Sequence, residues 1–256
     1  MNLRGAVSRL MLARLRSWDA GSATRPDYIV TLSRYIARRI AKCWGRGSVV
    51  VYPPVAVDRF GLQATKSKHY VTASRMVPYK RIPLIVKAFA QMPERELVVI
   101  GDGPDWKRCV AEAKGCANIK LMGYQSHEVL VRELQHARAF LFAAEEDFGI
   151  APLEAQACGT PVIAYGRGGA SETILPGETG AFFDRQDVAS ICQAVEAFEQ
   201  GSGFDPARCR RQAERFSSAN FQAGMAVALS EACAGVRTDQ PAEPRVWGGG
   251  AWLASR

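Results

Sequence analysis

Short apolar runs recur along this chain, and each is followed by a longer segment whose apolar residues return at helical spacing. The beat is most regular from Tyr70 onward. Tyr70–Ala73 predicts a strand and Ser74–Lys80 a loop. Arg81–Met92 predicts a helix with Pro83 in its first turn, where a missing N–H is tolerated. Strand Glu96–Ile100 then leads through Gly101-Asp102-Gly103-Pro104 into a helix to about Lys114. Strand Ile119–Met122 leads through Gly123-Tyr124 to a helix that Ser126 caps and that ends near His136. Strand Ala139–Phe142 runs into an acidic loop and a helix around Glu154. Strand Pro161–Ala164 runs into Gly166–Gly169 and a short helix, and a strand around Ala181–Phe183 precedes a helix Asp187–Gln200. This alternation predicts an α/β fold with a doubly wound parallel sheet. Right-handed crossovers then bring every strand-to-helix loop to one edge of that sheet.

The flanks are less regular. Leu3, Val7, Leu10, Met11 and Leu15 share one face of an N-terminal helix that is rich in arginine. The expectation is an apolar stripe facing a core with arginines in solvent; the alternative is a helix lying on an anionic membrane surface. Strand Asp27–Leu32, a helix Arg34–Trp44 capped by Ser33, and strand Ser48–Tyr52 follow, with Pro53-Pro54 stopping any continuation. Pro53–Lys68 has no period and reads as a linker. Helices near Pro206–Phe216 and Ala219–Ala234 close the folded part, and the aperiodic segment from Thr238 is expected to be disordered. The expected division is 1–60 as a small α/β part with the linker, 61–236 as the main Rossmann-like domain, and 237–256 as a tail.

Composition narrows the function classes. An apolar fraction of 48% with 23% charged residues is that of an ordinary globular protein, and no apolar run approaches the ~20 residues that a membrane span needs. The net charge of +8 favours anionic partners such as nucleotides, phosphates or acidic membrane surfaces. Seven cysteines without a CxxC pair suggest reduced cytosolic thiols. His69, His127 and His136 share no metal-ligand spacing, so no metal site is expected, and His127 and His136 read as surface helix residues. Basic and aromatic residues are not interleaved, which gives nucleic-acid binding no support.

The candidate chemistry concentrates at the carboxyl edge of the predicted sheet. Arg75 and Lys80 flank the first loop, where an arginine fork and a lysine point charge suit a diphosphate; the alternative is a pair of solvated cations. Glu146 and Glu154 bracket Asp147-Phe148-Gly149-Ile150 and the start of a helix. An ionised carboxylate accepts only, which suits the vicinal hydroxyls of a sugar; the alternative is acids complementing a helix N-terminus. Gly101–Gly103 and Gly123-Tyr124 would allow a planar base to approach the backbone, or would simply make tight turns. The amides of Gly166–Gly169 would offer a phosphate cradle at a helix start.

Together, SRMVPYKR, VVIGDGP, LMGY, EEDFGIAPLEAQACGTPVIA and GGASETI resemble the retaining GT-B glycosyltransferases of family 4. The wording is most similar to the mannosyltransferases of lipopolysaccharide O-antigen and exopolysaccharide synthesis. The resemblance implies a donor site for a nucleotide-diphosphate sugar, such as GDP-mannose, on the C-terminal half of a GT-B fold. It implies that Arg75 and Lys80 grip the diphosphate and stabilise it as it leaves, and that Glu154 holds the ribose. Glu146, with the amides of Phe148, Gly149 and Ile150, would position the sugar, and Gly123 and Tyr124 would lie against the base. It further implies transfer with retention, no metal cofactor, a lipid-linked or polysaccharide acceptor, and a cytoplasmic enzyme peripheral to the inner membrane face. A full GT-B enzyme has two Rossmann-like domains, whereas residues before Pro53 match only the last elements of the first. The alternative is therefore a nucleotide-sugar-binding subunit, or a fragment, that needs a partner chain supplying the first domain.

Overall fold

The computed structural model describes residues 3–201, 203–240 and 243–247. The chain forms two units. One ends at Tyr52 and resumes at Phe221; the other is Pro53–Asn220.

The first unit opens with helix α1 (Leu3–Ser22), strand β1 (Val30–Thr31), helix α2 (Arg34–Trp44) and strand β2 (Val49–Val51). Ser33 caps α2 as its residue type predicts, accepting from the Ile36 amide at 3.1 Å. The core-facing expectation for α1 fails: Val7, Leu10, Met11 and Leu15 are each at least half exposed. Helical spacing places residues on one stripe but does not supply a surface to cover it. The side chain of Leu3 lies outside the described residues.

The second unit carries β3 (Tyr70–Ala73), α3 (Ile82–Phe89), β4 (Leu97–Ile100), α4 (Trp106–Glu112), β5 (Ile119–Gly123), α5 (His127–His136) and β6 (Ala139–Phe142). It continues with α6 (Ile150–Ala157), β7 (Val162–Tyr165), α7 (Ala170–Thr173), β8 (Gly180–Phe183), α8 (Val188–Gln200) and α9 (Pro206–Glu214). All six strands run parallel in the order β5-β4-β3-β6-β7-β8. Its central strands are buried on both faces, so they read as continuous apolar runs. Tyr70, Leu97, Val99, Leu141 and Ile163 pack under α3, α4 and α8. In a second layer α6 neighbours both α5 and α9. The predicted α/β, Rossmann-like, doubly wound fold is the one observed.

The segment 53–68, expected as a linker, belongs to this second unit. Val55 bridges to Ser217, and Arg210 donates to the carbonyls of Val57, Phe60 and Ala157. Lys66 Nζ donates to the carbonyls of Gln135 and Cys158 and to Thr160 Oγ1, at 2.7, 3.0 and 2.8 Å. The expected divisions at residues 60 and 236 therefore move to 52 and 220, because polar anchors hold this aperiodic stretch where no apolar rhythm announced it.

Helix α10 (Ser218–Cys233) leads back into the first unit, and β9 (Val246–Trp247) pairs in parallel with β2. The tail expected to be disordered is thus structured over its described part. Arg46, buried, donates to the carbonyls of Ala23, Pro26 and Thr238, and Thr238 Oγ1 accepts from the Ile29 amide. These bonds join residues distant in sequence, which periodicity does not register. Residues 248–256 of the expected tail lie outside the described residues.

Candidate active site

Strand order reverses between β3 and β6. In an open parallel sheet the loops after two such strands diverge to opposite faces and leave a crevice beyond their carboxyl ends. The loop after β3 carries Arg75 and Lys80. The loop after β6 carries Glu146 and ends at Gly149, which caps α6.

Across this crevice Lys80 Nζ is ion-paired with the Glu146 carboxylate, both side chains being mostly buried. The ammonium also lies 5.5 Å from the centroid of the Tyr79 ring and 6.0 Å from that of Phe142. Arg81, the next residue, has φ of 56°, the left-handed region in a non-glycine residue. Such strain persists only where surroundings hold it, and it sits here beside the ion pair.

A cavity of about 430 Å³ opens along the same edge. Ile100, Leu134 and Phe140 contribute to its apolar wall, and Arg75, Tyr124 and Glu154 to its polar rim. Tyr124 is 84% exposed, so its ring presents a free face. Glu154, on the second turn of α6, is partly buried; burial pushes its carboxyl above the ordinary range, against the positive charge of His127 and Arg59. Arg75 is exposed. A cavity with an apolar wall, a cation, a carboxylate and an open aromatic face has the chemistry for an anionic ligand bearing a ring and hydroxyls.

The predicted residues thus fall into two groups. Arg75, Tyr124 and Glu154 share the cavity. Lys80 and Glu146 form the adjoining pair, with Phe148, Gly149 and Ile150 following at the start of α6. Arg75 and Lys80, paired in the sequence reading as one grip, are divided between the two groups. Gly123 closes β5, and its carbonyl accepts from the Gly101 amide at 2.8 Å.

Two glycine loops hold neighbouring loops together. A Cβ on Gly101, whose φ is +122°, would stand 1.9 Å from the Ser74 carbonyl oxygen. Gly101 therefore lets the β3 and β4 loops lie side by side, and it also lines the cavity. A Cβ on Gly168, whose φ is +74°, would stand 2.5 Å from the Glu146 carbonyl oxygen. The amides of Gly166, Arg167 and Gly169 donate to the carbonyls of Phe183, Tyr165 and Glu146. Three of the four amides of the expected phosphate cradle are thus committed to the protein and make the loop a buttress for the Glu146 segment, and α7 beyond it has a single turn.

His127 was expected on the surface and is instead partly buried, its ring edge-on to Phe60 at 5.5 Å. That His127 and Arg59 act electrostatically on Glu154 was not legible, because the three come from separate segments. Among the described residues no cluster of His, Cys, Asp and Glu stands where it could hold a metal ion.

The fold is a doubly wound, Rossmann-like α/β domain with a crevice where its strand order reverses. The family model described as glycosyl transferases group 1 matches residues 56–216, and the chain belongs to that family. It is 31% identical over 204 residues to a GDP-mannose-dependent alpha-(1-6)-phosphatidylinositol monomannoside mannosyltransferase of Mycolicibacterium smegmatis, covering 66% of this chain and 52% of that one. It is 31% identical over 184 residues to a D-inositol 3-phosphate glycosyltransferase of a Mycobacterium species (strain JLS), covering 64% and 41%. Among solved structures, a lipopolysaccharide outer core galactosyltransferase in its apo form superposes with a TM-score of 0.71 at 21% identity, covering 80% of this chain and 62% of that one. Sucrose-phosphate synthase from Thermosynechococcus elongatus gives 0.73 at 21%, covering 86% and 61%. The chain spans about half the length of the curated relatives it matches.

Proposed function

We propose that this chain carries the donor half of a retaining hexosyltransferase. It would move a sugar, with mannose from GDP-mannose the leading case, onto a lipid-linked or polysaccharide hydroxyl. The observation that carries the reading is the Lys80–Glu146 pair across the strand-order reversal, adjoining a cavity rimmed by Arg75, Tyr124 and Glu154. The GDP-mannose dependence of the relatives' names supports the choice of donor.

In this reading the base lies against Tyr124 and the apolar wall, and ionised Glu154 accepts from the ribose hydroxyls. Arg75 and Lys80 take the diphosphate. A diphosphate competes with Glu146 for Lys80, and the carboxylate it displaces is then available to hydroxyls of the donor sugar. Transfer breaks the bond from the anomeric carbon to the diphosphate oxygen and forms one to the acceptor oxygen. The acceptor proton leaves with the diphosphate. Charge accumulates on the leaving group, so the two cations act where it develops and can serve without a metal.

Isothermal titration of the full chain with GDP, UDP, ADP and their sugars tests this. Micromolar binding of one nucleotide series is expected, tightest for GDP; a folded chain that binds none of them overturns the donor site. A second reading draws support from the exposed apolar residues of α1: the chain binds the donor and needs a partner chain carrying the other domain of the fold. Turnover only on mixing with a separately produced N-terminal half of a relative would favour it. Peripheral attachment to the cytoplasmic membrane face remains part of the proposal. No helix among the described residues is long and apolar enough to cross a membrane.

A further inference from the structure

The charge of this protein is unevenly placed. Met1–Tyr52 holds ten of the 33 basic residues and two of the 25 acidic ones, so this stretch alone accounts for the formal net charge of +8. Both acids are engaged within the fold: Asp19 Oδ2 accepts from Trp44 Nε1 at 2.8 Å, and Asp27 is ion-paired with Arg237. Arg9, Arg14 and Arg16 on α1 and Arg38, Arg39 and Lys42 on α2 are exposed.

Every residue of α1 from Val7 to Gly21 is exposed. The helix is held at its carboxyl end, where Asp19 meets Trp44 and the Ala23 carbonyl accepts from buried Arg46 at 2.6 Å. Along the rest, Val7, Leu10, Met11, Leu15 and Trp18 share one face at helical spacing and are 50% to 66% exposed. A helix of 20 residues is barely stable by itself in water, and this one has its apolar stripe uncovered. Arg14 lies between Met11 and Trp18 on that face, so the stripe carries a cation inside it.

Three occupants could cover such a stripe. A second copy of the chain would bring one basic segment against another, and like charges repel. A protein partner would have to bury Arg14 within an apolar contact, which is costly unless a carboxylate meets it. A bilayer imposes neither cost. An arginine on an interfacial helix extends its head to the phosphates while its stem stays among the acyl chains. Trp18 has the amphipathic ring that favours the same depth. The cations around the stripe gain from anionic headgroups. The helix is not long and apolar enough to cross a membrane, so it would lie along the surface.

We propose that α1 is a membrane-docking element that lies along a bilayer of anionic phospholipid. Val7, Leu10, Met11, Leu15 and Trp18 enter the acyl boundary, and the arginines of α1 rest on the headgroup phosphates. The cations of α2 add to the same attraction. This names the surface and the lipid charge behind peripheral attachment. It assigns the α1 stripe to lipid and not to a partner chain, and it does not depend on what the cavity holds.

The test is co-sedimentation of the full chain with vesicles of phosphatidylcholine, alone or with about one third phosphatidylglycerol, at low and high salt. The variants are Leu10→Ser with Leu15→Ser, Arg14→Gln with Arg16→Gln, and Lys120→Gln as an exposed cation outside the basic stretch. Thermal melts establish folding. Binding to the anionic vesicles should be at least about tenfold tighter than to neutral ones and should fade with salt. The leucine pair should weaken it about tenfold or more. The arginine pair should weaken it about tenfold, with a shallower salt dependence, and Lys120→Gln should leave it unchanged. Equal binding to both vesicle types, or anionic binding that neither α1 pair weakens, overturns the proposal. So does association with a second copy, or with the N-terminal half of a relative, that the leucine pair abolishes while vesicle binding persists. A parallel nucleotide titration keeps the two readings apart. A chain that docks but binds no nucleotide retains the membrane assignment, and one that binds nucleotide but ignores anionic vesicles loses that assignment alone.

Discussion

The two ends of the six-stranded sheet use the same residue types to opposite ends. At the amino end, Glu199 accepts from the Tyr70 hydroxyl at 2.7 Å and from Arg95 Nε and Nη2 at 3.1 and 3.0 Å, with Arg138 at 3.6 Å. Beside it Asn118 Nδ2 donates to the carbonyls of Phe89, Met92 and Arg95. At the carboxyl end, Arg75 and Tyr124 face solvent and Glu154 is partly buried beside a cavity. Burial pushes Glu199 up, yet Tyr70, Arg95 and Arg138 outweigh it and hold its pKa below the ordinary value; Glu154, more deeply withdrawn from water and with no hydrogen-bonded cation among the causes of its shift, ends above it. A closed set of partners makes a carboxylate a clamp on the fold, and an incomplete set leaves it for a ligand.

Predictions follow the contrast from the largest effect down. Gly101→Ala should damage both properties, since the new Cβ meets the Ser74 carbonyl at 1.9 Å in a conformation that L residues rarely adopt. A loss on the order of 3 kcal/mol in denaturant midpoint is expected, with nucleotide affinity falling in parallel; unchanged stability would mean that the β3 and β4 loops are not zipped as described.

Glu199→Ala and Lys80→Ala separate the ends. The first strands Tyr70, Arg95 and Arg138 without their acceptor and should cost about 2–3 kcal/mol of stability, leaving the GDP dissociation constant within about twofold. The second should weaken GDP by about 2–3 kcal/mol and should also lower the melting temperature, because it leaves the mostly buried Glu146 carboxylate without its cation. A Glu199→Ala variant that loses GDP affinity, or a Lys80→Ala variant that keeps it, read by calorimetry, would break the assignment of ends.

The smallest effect is on pH. The Glu199 pKa is depressed in the folded state, so its stabilisation is present above the unfolded value of about 4.3 and is lost as pH falls through the folded value. The Glu154 pKa is raised, so its ionised form costs stability, and that cost disappears as pH falls through the raised value, together with its capacity to hold a ribose. Acidification from neutral pH should therefore weaken GDP as Glu154 takes up its proton, while the melting temperature holds or rises slightly until Glu199 protonates in its turn; a parallel fall of both from the outset would contradict the opposite shifts.

Much of the scaffold was legible because its signals are local. Tyr70–Ala73 and Ala139–Phe142 are strands at the expected residues, and Ser33, Ser126 and Asp187 each accept from an amide two or three residues into their helices, as cap chemistry requires. The described part of the tail, the anchored stretch 53–68 and exposed α1 were misread because burial of an arginine, a lysine or a helix face depends on what arrives from elsewhere. The site divided in the same way. Candidate residues were visible as types in strand-end loops, but His127 and Arg59 carry no motif, and the glycines of 166–169 look alike whether they cradle a phosphate or buttress a loop.

The chain's own order of apolar and polar residues determined the alternation of strand and helix, and with it a parallel sheet whose loops gather at one edge, because side-chain period and backbone handedness are local properties. Only the tertiary structure decided the partners. The placing of β6 beside β3 brought Glu146 onto Lys80, a partner that the loop sequences do not announce. Contacts between distant segments are made by the sheet's strand order, which no window of sequence contains.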